Sequence, residues 1–331
     1  MSWICLFKVL DKKKYWKVTF EITSKCNLSC KHCCTNSTLN WWSKLKEDQI
    51  DYFLTDLRDN SISDIYITWW EPFLYPYIDK FLEKVWEKWF NISLATNATL
   101  LNEKRINLLK NIINKKVLVS IDGYNSKTHN WIRWNSLAWS KTISNINKLV
   151  NKWIDVKISS IVWKENIDYL EDMIINWIDL GVSEIYFVWP IKTWRLKLNN
   201  DLLNSEKDYF KTFILLKELK LKYKDKIKVT FKRRGKINNE EENGLDCLWW
   251  YKLFHINSDL EVFPCSWMSK LSVSNNYKSI WSIDNDFKKC IVWIDSFRKV
   301  VKKRKMESNI WCPALSQLGT WDIYWKDPLL N

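Results

Sequence analysis

Glycine is scarce in this chain. Only 5 of its 331 residues are Gly, whereas 24 are Trp. Average Gly usage is about 7% and Trp is ordinarily the rarest residue type, so the two counts look exchanged. Gly is the residue expected just past a helix C-terminus, where the backbone turns through a left-handed region that a Cβ disfavours. The turns of this chain therefore lack their usual residue.

Three predicted helix-to-strand junctions indicate where the missing glycines belong. They read Glu87-Lys88-Trp89-Phe90, Asn151-Lys152-Trp153-Ile154 and Asp179-Leu180-Gly181-Val182. Tandem Trp also falls in predicted loops, at Trp41-Trp42, Trp69-Trp70 and Trp249-Trp250, where exposed indoles are costly and Gly is ordinary. We expect most of these Trp to be UGA codons that the source organism decodes as Gly. The alternative is a Trp-rich protein with aromatic surfaces.

Long hydrophobic runs are also missing. No apolar run reaches 18 residues, and no basic-then-apolar leader begins the chain, so we expect no membrane span and a cytoplasmic protein. The net charge of +14 is partly a Lys and Asn excess typical of AT-rich genes. We therefore do not expect nucleic acid as the partner, although a basic surface fits an acidic peptide or RNA. The length predicts one large domain and a smaller one.

Cysteine is plentiful by contrast, with nine residues. In a reducing compartment this favours metal ligation over disulfides. Cys26, Cys30 and Cys33 are spaced C-x3-C-x2-C directly after an apolar run, and Cys34 is an extra thiol that we interpret as structural. Soft thiolates select zinc, copper(I) or iron–sulfur clusters. Structural zinc wants four protein ligands, so three clustered Cys favour a [4Fe–4S] cluster with one open iron; zinc is the alternative.

Strand-like and helix-like segments alternate along the chain. Amphipathic stripes such as Ile50, Phe53, Leu54 and Leu57 indicate helices between the strands. About six βα units in succession predict a parallel sheet with right-handed crossovers, curled into a full or partial barrel. The predicted strands are Val18 to Thr23, Asp64 to Thr68, Ile92 to Thr96, Val117 to Ile121, Asp155 to Val162 and Ser183 to Val188.

Polar residues follow these strands, as expected of a barrel whose chemistry lies at the C-terminal ends of its strands. The first strand leads into the Cys loop. The later strand ends carry Thr68-Trp69-Trp70-Glu71-Pro72, Thr96-Asn97-Ala98-Thr99 and Ser120-Ile121-Asp122-Gly123, with His129 and Arg133 shortly after, then Ser159 with Ser160.

With Trp taken as Gly, these motifs resemble those of the radical S-adenosylmethionine (SAM) enzymes, and Ala98 departs from that family's Thr-Asn-Gly element. The resemblance implies a partial (βα)6 TIM-like barrel over residues 17–232, after a lead-in of residues 1–16. It implies that Trp69 and Trp70 let the backbone approach SAM, that Glu71 accepts from its amino group, and that His32 packs near the adenine. Asn97, Asp122 and Ser159 complete the expected cofactor-binding set, and no catalytic residue is named.

The C-terminal residues 233–331 resemble the SPASM/Twitch domains that hold auxiliary clusters. Cys247, Cys265 and Cys312 match ligand positions, and Cys290 is either a fourth ligand or a core residue. Leu260 departs from the family's Gly, and the remaining Cys of a full SPASM domain are missing. The resemblance therefore implies at most one auxiliary [4Fe–4S] cluster; a zinc site or a domain without metal are the alternatives.

The implied function is reductive cleavage of SAM to a 5′-deoxyadenosyl radical that modifies a peptide or protein, with a flavodoxin or ferredoxin as reductant. One alternative is a cofactor-biosynthesis enzyme of the molybdopterin type, although that family's C-terminal C-x2-C pair is absent. Another is a non-catalytic, zinc-stabilised, basic nucleic-acid-binding protein, which does not account for Glu71, Asn97 and Asp122 at strand ends.

Overall fold

Strands and helices alternate in the computed structural model, which describes residues 17–35, 37–40, 43–59, 62–112, 116–190, 194–231 and 253–263, with Ser266, Ser269 and residues 281–282. The strands are β1 Lys17–Phe20, β2 Asp64–Ile67, β3 Asn91–Thr96, β4 Lys116–Ser120, β5 Asp155–Ile161, β6 Glu184–Val188, β7 Lys228–Phe231, β8 Leu253–Ile256, β9 Glu261–Phe263 and β10 Trp281–Ser282. The α-helices are α1 Ile50–Asp59, α2 Ile78–Glu87, α3 Glu103–Asn111, α4 Ser126–Arg133, α5 Ala138–Asn151, α6 Leu170–Asp179 and α7 Glu206–Lys222.

All six predicted strands are present, and the predicted βα alternation is confirmed. The first strand is shorter than predicted, because β1 ends at Phe20. β8 and β9 pair antiparallel and form a hairpin. The predicted domain boundary at residue 233 lies outside the described residues and stays a prediction.

The chain divides into two compact units. The first holds the described residues within Met1–Ile22, Ser43–Tyr66 and Arg234–Asn331, and its strand order is β10-β9-β8-β1-β2. β8 pairs with β1 in parallel, from Lys17 opposite Leu253 to Phe20 opposite Ile256. The rings of Phe20 and Phe53 lie 5.0 Å apart, which packs α1 against β1.

A buried polar pair joins β8 to the chain following β1. His255 Nε2 lies 3.0 Å from a carboxylate oxygen of Glu21, and both side chains are at most 1% exposed. The Nδ1 atom of His255 is 2.8 Å from the Thr19 hydroxyl oxygen. Buried polar groups require such partners, so the contacts stabilise the pairing of β8 with β1.

The second unit holds the described residues within Thr23–Trp42 and Ile67–Arg233. Its strand order is β3-β4-β5-β6-β7, and every neighbouring pair is parallel. Alternate residues of β5, such as Val156 and Ile158, are fully buried, whereas Ser159 is half-buried. Because the strands are parallel, the C-terminal ends of β3, β4 and β5 lie at one edge of this sheet.

The helix ends of the second unit show a repeated turn. After α2, α5 and α6 the backbone becomes left-handed, with φ of 60° at Trp89, 60° at Trp153 and 73° at Gly181. In each turn the left-handed residue donates its N–H to the carbonyl three residues earlier, and the next residue donates to the carbonyl five residues earlier. This is the Schellman motif, which Gly usually terminates. Two tryptophans thus take the backbone conformation that Gly takes in the third turn.

Positive φ is concentrated at tryptophan. Among the described non-glycine residues with positive φ, five are Trp and the other two are Ala98 and Leu260. Those two are positions at which the resemblance implies a glycine. The five tryptophans are Trp69, Trp89, Trp134, Trp153 and Trp194.

No helix in the described part of the chain is long and apolar enough to cross a membrane.

Candidate cofactor site

The Cys loop is held in place by backbone hydrogen bonds. Residues 25 and 38 form a parallel bridge, and Cys26 donates its N–H to the Thr38 carbonyl at 3.1 Å. Cys33 donates to the Cys30 carbonyl at 3.2 Å, which closes a tight turn between two of the thiols. All three thiols are free, with Cys30 buried and Cys26 and Cys33 partly buried. One short, braced loop therefore presents all three sulfurs.

The pKa values of the three thiols depend on their burial and on the groups around them. Burial, followed by the nearby charges of Cys30 and Cys33, raises the pKa of Cys26 to about 12. Burial also raises the pKa of Cys30 to about 11, against the opposing effect of Arg133. Burial alone would raise the pKa of Cys33, but hydrogen bonds from Thr35 and Ser37 outweigh it and lower the pKa. Thiols must lose their protons to bind metal, so Cys33 is the most readily ionised of the three.

This donor set fits an iron–sulfur cluster. Across the described residues, no three His, Cys, Asp or Glu side chains converge closely enough to hold a single metal ion. An iron–sulfur cluster takes its thiolates on separate irons, so its ligands need not converge on one point. Three neighbouring, braced thiols in a buried loop are chemically suited to it, and these three would be its ligands.

Glu71 sits at the centre of the adjacent strand ends. The carboxylate is fully buried and accepts from the Thr96 hydroxyl at 2.8 and 2.9 Å and from the Asn97 N–H at 2.8 Å. It also accepts from the N–H of Phe73 at 3.3 Å, and its own N–H donates to the Lys25 carbonyl at 3.0 Å. Burial raises the pKa of Glu71 to about 7, although these hydrogen bonds oppose the shift. Glu71 therefore links the end of β3 to the Cys loop and titrates near neutrality.

Asn97 links the same two segments from the other side. Its amide nitrogen donates to the Asn27 side-chain oxygen at 2.9 Å, while Asn27 donates to the Thr99 hydroxyl at 2.9 Å. The Asn97 side-chain oxygen accepts from both the N–H and the hydroxyl of Thr99. Between them, Ala98 is left-handed, with φ of 58°. Asn27 was missed by sequence reasoning, because only its position inside the Cys loop could have marked it.

Asp122 lies where β4 ends. Its side chain is 1% exposed, and one carboxylate oxygen lies 2.5 Å from Arg133 Nη2 and 3.4 Å from His32 Nε2. The other oxygen accepts from the Ile161 N–H at 2.9 Å. Burial alone would raise the pKa of Asp122, but the Arg133 guanidinium outweighs it and lowers the pKa. Asp122 thus stays ionised and connects the Cys loop, α4 and β5.

The two histidines beside Asp122 are neutral. Burial lowers the pKa of His32 to about 4 and that of His129 to about 3. His129 Nδ1 accepts the backbone N–H of Asp122 at 3.3 Å, so the ring proton lies on Nε2. His32 Nδ1 is buried and has no hydrogen-bond partner in the described structure. That orphaned acceptor is free to meet a donor on a ligand.

The remaining predicted residues divide into two groups. Ser159 is half-buried and lies opposite Ser120 in the sheet, while Trp69 has φ of 84° and Trp70 is 7% exposed. These three and Cys34 belong to the described chain. The four predicted ligands of an auxiliary cluster, Cys247, Cys265, Cys290 and Cys312, lie outside the described residues.

Two arginines were absent from the predicted site but contact the Cys loop. Arg133 Nη1 lies 3.7 Å from Cys30 Sγ. Arg195 donates to the carbonyl oxygens of Cys30 and Ser37, the first at 3.5 Å. Sequence placed Arg133 soon after Asp122 but could not show that it reaches a thiol 103 positions away.

The region that contains these residues is similar to known proteins. Residues 20–175 match the model of the Radical SAM superfamily. The chain is 30% identical over 142 residues to the antilisterial bacteriocin subtilosin biosynthesis protein AlbA of Bacillus subtilis, which covers 43% of this chain and 32% of AlbA. It is also 30% identical over 122 residues to GTP 3′,8-cyclase of Aliarcobacter butzleri, covering 35% of this chain and 37% of that enzyme. The chain thus spans about a third of the length of these curated relatives.

The fold resembles that of a solved structure, Streptococcus suis SuiB bound to S-adenosylmethionine. The TM-score is 0.76 at 13% identity, over 96% of this chain and 77% of SuiB. A second structure of SuiB, bound to its precursor peptide SuiA, matches with a TM-score of 0.67 at 14% identity, over 87% of this chain and 67% of that one. At this identity the likeness shows the fold: the mostly parallel α/β architecture predicted from the sequence is shared with SuiB.

Proposed function

We propose that this chain, which belongs to the radical SAM superfamily through residues 20–175, cleaves SAM reductively in order to modify a peptide or protein. The observation that carries the proposal is the meeting of the three-thiol loop with the buried groups at the ends of β3 and β4. When bound, the cluster and SAM supply a 5′-deoxyadenosyl radical that takes a hydrogen atom from the substrate.

The chain's own residues would bind and orient these groups. Cys26, Cys30 and Cys33 hold the cluster. A carboxylate has about four acceptor sites. The two oxygens of Glu71 accept hydrogen bonds from three donors, the Phe73 N–H, the Thr96 hydroxyl and the Asn97 N–H. One acceptor site therefore remains for the SAM ammonium group. Trp69 and Trp70 precede Glu71 in the loop that would approach the methionine moiety of SAM.

A second set would bind the nucleoside part of SAM. Asp122, Asn97 and Ser159 stand at neighbouring strand ends, and the unpartnered Nδ1 of His32 is an acceptor suited to an amino group. Burial of Asp122, Glu71 and Asn97 at 7% exposure or less excludes water around them, which protects a reactive radical from side reactions.

The names of similar proteins favour a peptide substrate. SuiB is described with a precursor peptide bound, and AlbA is named for bacteriocin biosynthesis. The match to GTP 3′,8-cyclase covers 35% of this chain, less than the 43% that matches AlbA, so the peptide substrate is favoured over the cofactor-biosynthesis alternative. The basic charge of +14 suits an acidic peptide or an acidic reductant such as a flavodoxin or ferredoxin. We place the enzyme in the cytoplasm, where thiols stay reduced.

The C-terminal segment would hold one auxiliary [4Fe–4S] cluster on Cys247, Cys265 and Cys312, with Cys290 as a possible fourth ligand. The support is the resemblance of this segment to the SPASM/Twitch domains, in which these cysteines match ligand positions. Replacing Cys265 and Cys312 with Ala should lower bound iron by one cluster's worth, while the same protein keeps the iron of the first cluster. Unchanged iron would refute the assignment.

The UGA hypothesis belongs to the same proposal: most of the Trp of this sequence are Gly in the protein that the cell makes. Its support is backbone geometry, because Trp89 and Trp153 end their helices in the turn that Gly181 forms. Their indoles are 69% and 90% exposed. A left-handed residue with a Cβ costs roughly 1–2 kcal/mol, and an exposed indole gains no burial in return.

Peptide mass spectrometry of the protein from its source organism tests this hypothesis. We expect Gly at positions 89 and 153, with Gly181 in the same digest as the reference for an ordinary glycine. UGG codons at Trp69 and Trp70, together with Trp in the peptides, would refute the UGA hypothesis.

Production of 5′-deoxyadenosine tests the proposed function. The chain is expressed with Gly at the suspected positions and, separately, as written; both are reconstituted with iron and sulfide and supplied anaerobically with dithionite and SAM. We expect product from the Gly form, and none from a Cys26→Ala, Cys30→Ala, Cys33→Ala triple variant. A zinc-loaded, colourless protein that leaves SAM intact would contradict the proposal.

A further inference from the structure

Arg133 occupies an unusual position for an arginine, because it is buried beside a thiol. The residue is 8% exposed, and its two terminal nitrogens face different partners. Nη2 lies 2.5 Å from the Asp122 carboxylate, and Nη1 lies 3.7 Å from Cys30 Sγ. Arg is almost never fully buried without a partner, so this environment is built around the guanidinium.

The fold fixes Arg133 relative to the Cys loop. The residue before it, Ile132, accepts a hydrogen bond on its carbonyl from the Lys31 N–H at 2.9 Å. Lys31 directly follows Cys30, so the last turn of α4 is tied to the loop by its backbone as well as by its side chain. α4 ends at Arg133, and the next residue is left-handed with φ of 54°. The guanidinium is thus held at a set distance from the sulfur.

The physical consequence concerns the charge on the Cys30 sulfur. Arg stays protonated in proteins and is the preferred donor to buried anions. Hydrogen bonds from an ionised donor are about twice as strong as neutral ones, and a buried charge is poorly screened by solvent. Hydrogen bonds to the thiolates are among the features that set the potential of an iron–sulfur cluster, because they stabilise the more negative, reduced form.

We propose that Arg133 is a positioning residue for the cluster: it donates to the Cys30 thiolate and raises the cluster's reduction potential, while Asp122 orients it and partly neutralises it. This inference rests on the proposed function, because it requires a cluster on the Cys loop. It assigns the Asp122–Arg133 pair a role in electron acceptance beside any contact of Asp122 with SAM.

An EPR-monitored redox titration of the reconstituted protein tests the proposal. The variant is Arg133→Gln, which keeps a neutral donor of similar size. Its cluster should titrate at a lower potential than the wild-type cluster, with iron and sulfide per chain unchanged. Arg133→Lys, which keeps the charge but loses the planar fork, should fall between the two.

A matched pair of controls separates this role from general stabilisation. Arg195→Gln removes a cation that donates to carbonyl oxygens of the same loop, and its cluster should titrate closer to wild type than that of Arg133→Gln. Asp122→Asn leaves Arg133 less neutralised and should shift the potential upward, opposite to Arg133→Gln. If Arg133 merely supported the loop, Arg133→Gln and Asp122→Asn would not shift the reduction potential in opposite directions.

The outcomes distinguish this inference from the proposed function. If the wild-type protein binds no cluster, the proposed function fails. If the cluster forms and Arg133→Gln titrates where wild type does, or if Arg195→Gln moves the potential equally, the inference is overturned. If Arg133→Gln does not take up iron, the Arg133→Lys and Asp122→Asn variants decide. Reduction potentials that shift in the same direction in both variants would overturn the inference.

Discussion

At the scale of single residues, Glu71 combines full burial with side-chain hydrogen bonds donated by Phe73, Thr96 and Asn97. Its pKa of about 7 reflects burial winning over those hydrogen bonds. A carboxyl group forms an ion pair with an ammonium group only in its ionised form, and its protonated form is a weaker acceptor. The state of this one proton therefore controls the strength of the proposed SAM contact.

We predict that SAM binds the cluster-loaded protein more tightly above pH 7 than below it, as Glu71 loses its proton. The measurement is calorimetric titration on both sides of that pH. Glu71→Gln should weaken binding by roughly 10- to 100-fold, the value of a hydrogen bond to a charged group, and should remove the dependence on pH. Binding by wild type that is equally tight on both sides of pH 7 would contradict this role.

A second prediction at this scale concerns Trp153, whose φ is 60° and whose indole is 90% exposed. In the protein as written, Trp153→Gly should raise the free energy of unfolding by about 1–2 kcal/mol, because Gly has no Cβ to strain. Urea unfolding measures it.

The chain provides its own controls for Trp153. Gly181→Ala should lower stability, since its φ is 73° and an added Cβ would come 2.9 Å from Val150. Trp153→Ala keeps the strain but removes the indole, so it should gain less than Trp153→Gly. An equal gain for both would attribute the effect to the indole and not to the backbone.

At the scale of elements, the start of α4 is packed tightly against the end of β4. A Cβ on Gly123 would lie 2.3 Å from the His129 nitrogen and 2.4 Å from the Thr128 hydroxyl oxygen. Asn125 caps α4 by accepting from the Thr128 N–H at 2.9 Å. Because α4 carries Arg133, the position of its first turn also sets the geometry beside Cys30.

We predict that Gly123→Ala destabilises the protein by about 1–3 kcal/mol, the usual cost of overpacking, because the helix must shift away from the new methyl group. Thermal unfolding measures the loss. Lys127→Ala, at an exposed position of the same helix, should change stability by less than about 0.5 kcal/mol. Equal stability of Gly123→Ala and wild type would mean that α4 moves without cost.

At the scale of the whole molecule, buried neutral histidines make the folded state sensitive to acid. The pKa of His129 is about 3, against an ordinary value of 6.5, so the unfolded chain binds its proton more readily than the folded one. His129 therefore contributes stability that is complete above pH 6.5 and is lost as the pH falls toward 3.

We predict that the free energy of unfolding decreases over that interval, and that His129→Gln flattens the decrease while lowering stability at neutral pH. Urea unfolding at a series of pH values measures both effects. If His129→Gln lost stability on acidification as steeply as wild type, other groups would be responsible for the acid sensitivity.

The sequence by itself determined the order of strands and helices, the three-thiol loop and the polar strand ends. These features depend on short-range patterns: hydrophobic periodicity, Cys spacing and the residues that follow each strand. The sequence also indicated the strained turns, because Trp89 and Trp153 follow their helices at the position that Gly181 occupies after another helix. The end of β1 was predicted three residues too late, since an apolar run does not show where strand pairing stops.

Only the tertiary structure decided which side chains meet. Asn27 bonds Asn97 from 70 positions away, and Arg133 reaches Cys30 from 103 positions away. Such contacts depend on strand register and on the rotation of α4 about its axis, which local sequence does not encode. The pairing of β8 with β1, from a segment assigned to a separate domain, is of the same kind. Side-chain partnership across a sheet is set by the packing of the whole chain, and so the Asp122–Arg133–Cys30 contact could be found only in three dimensions.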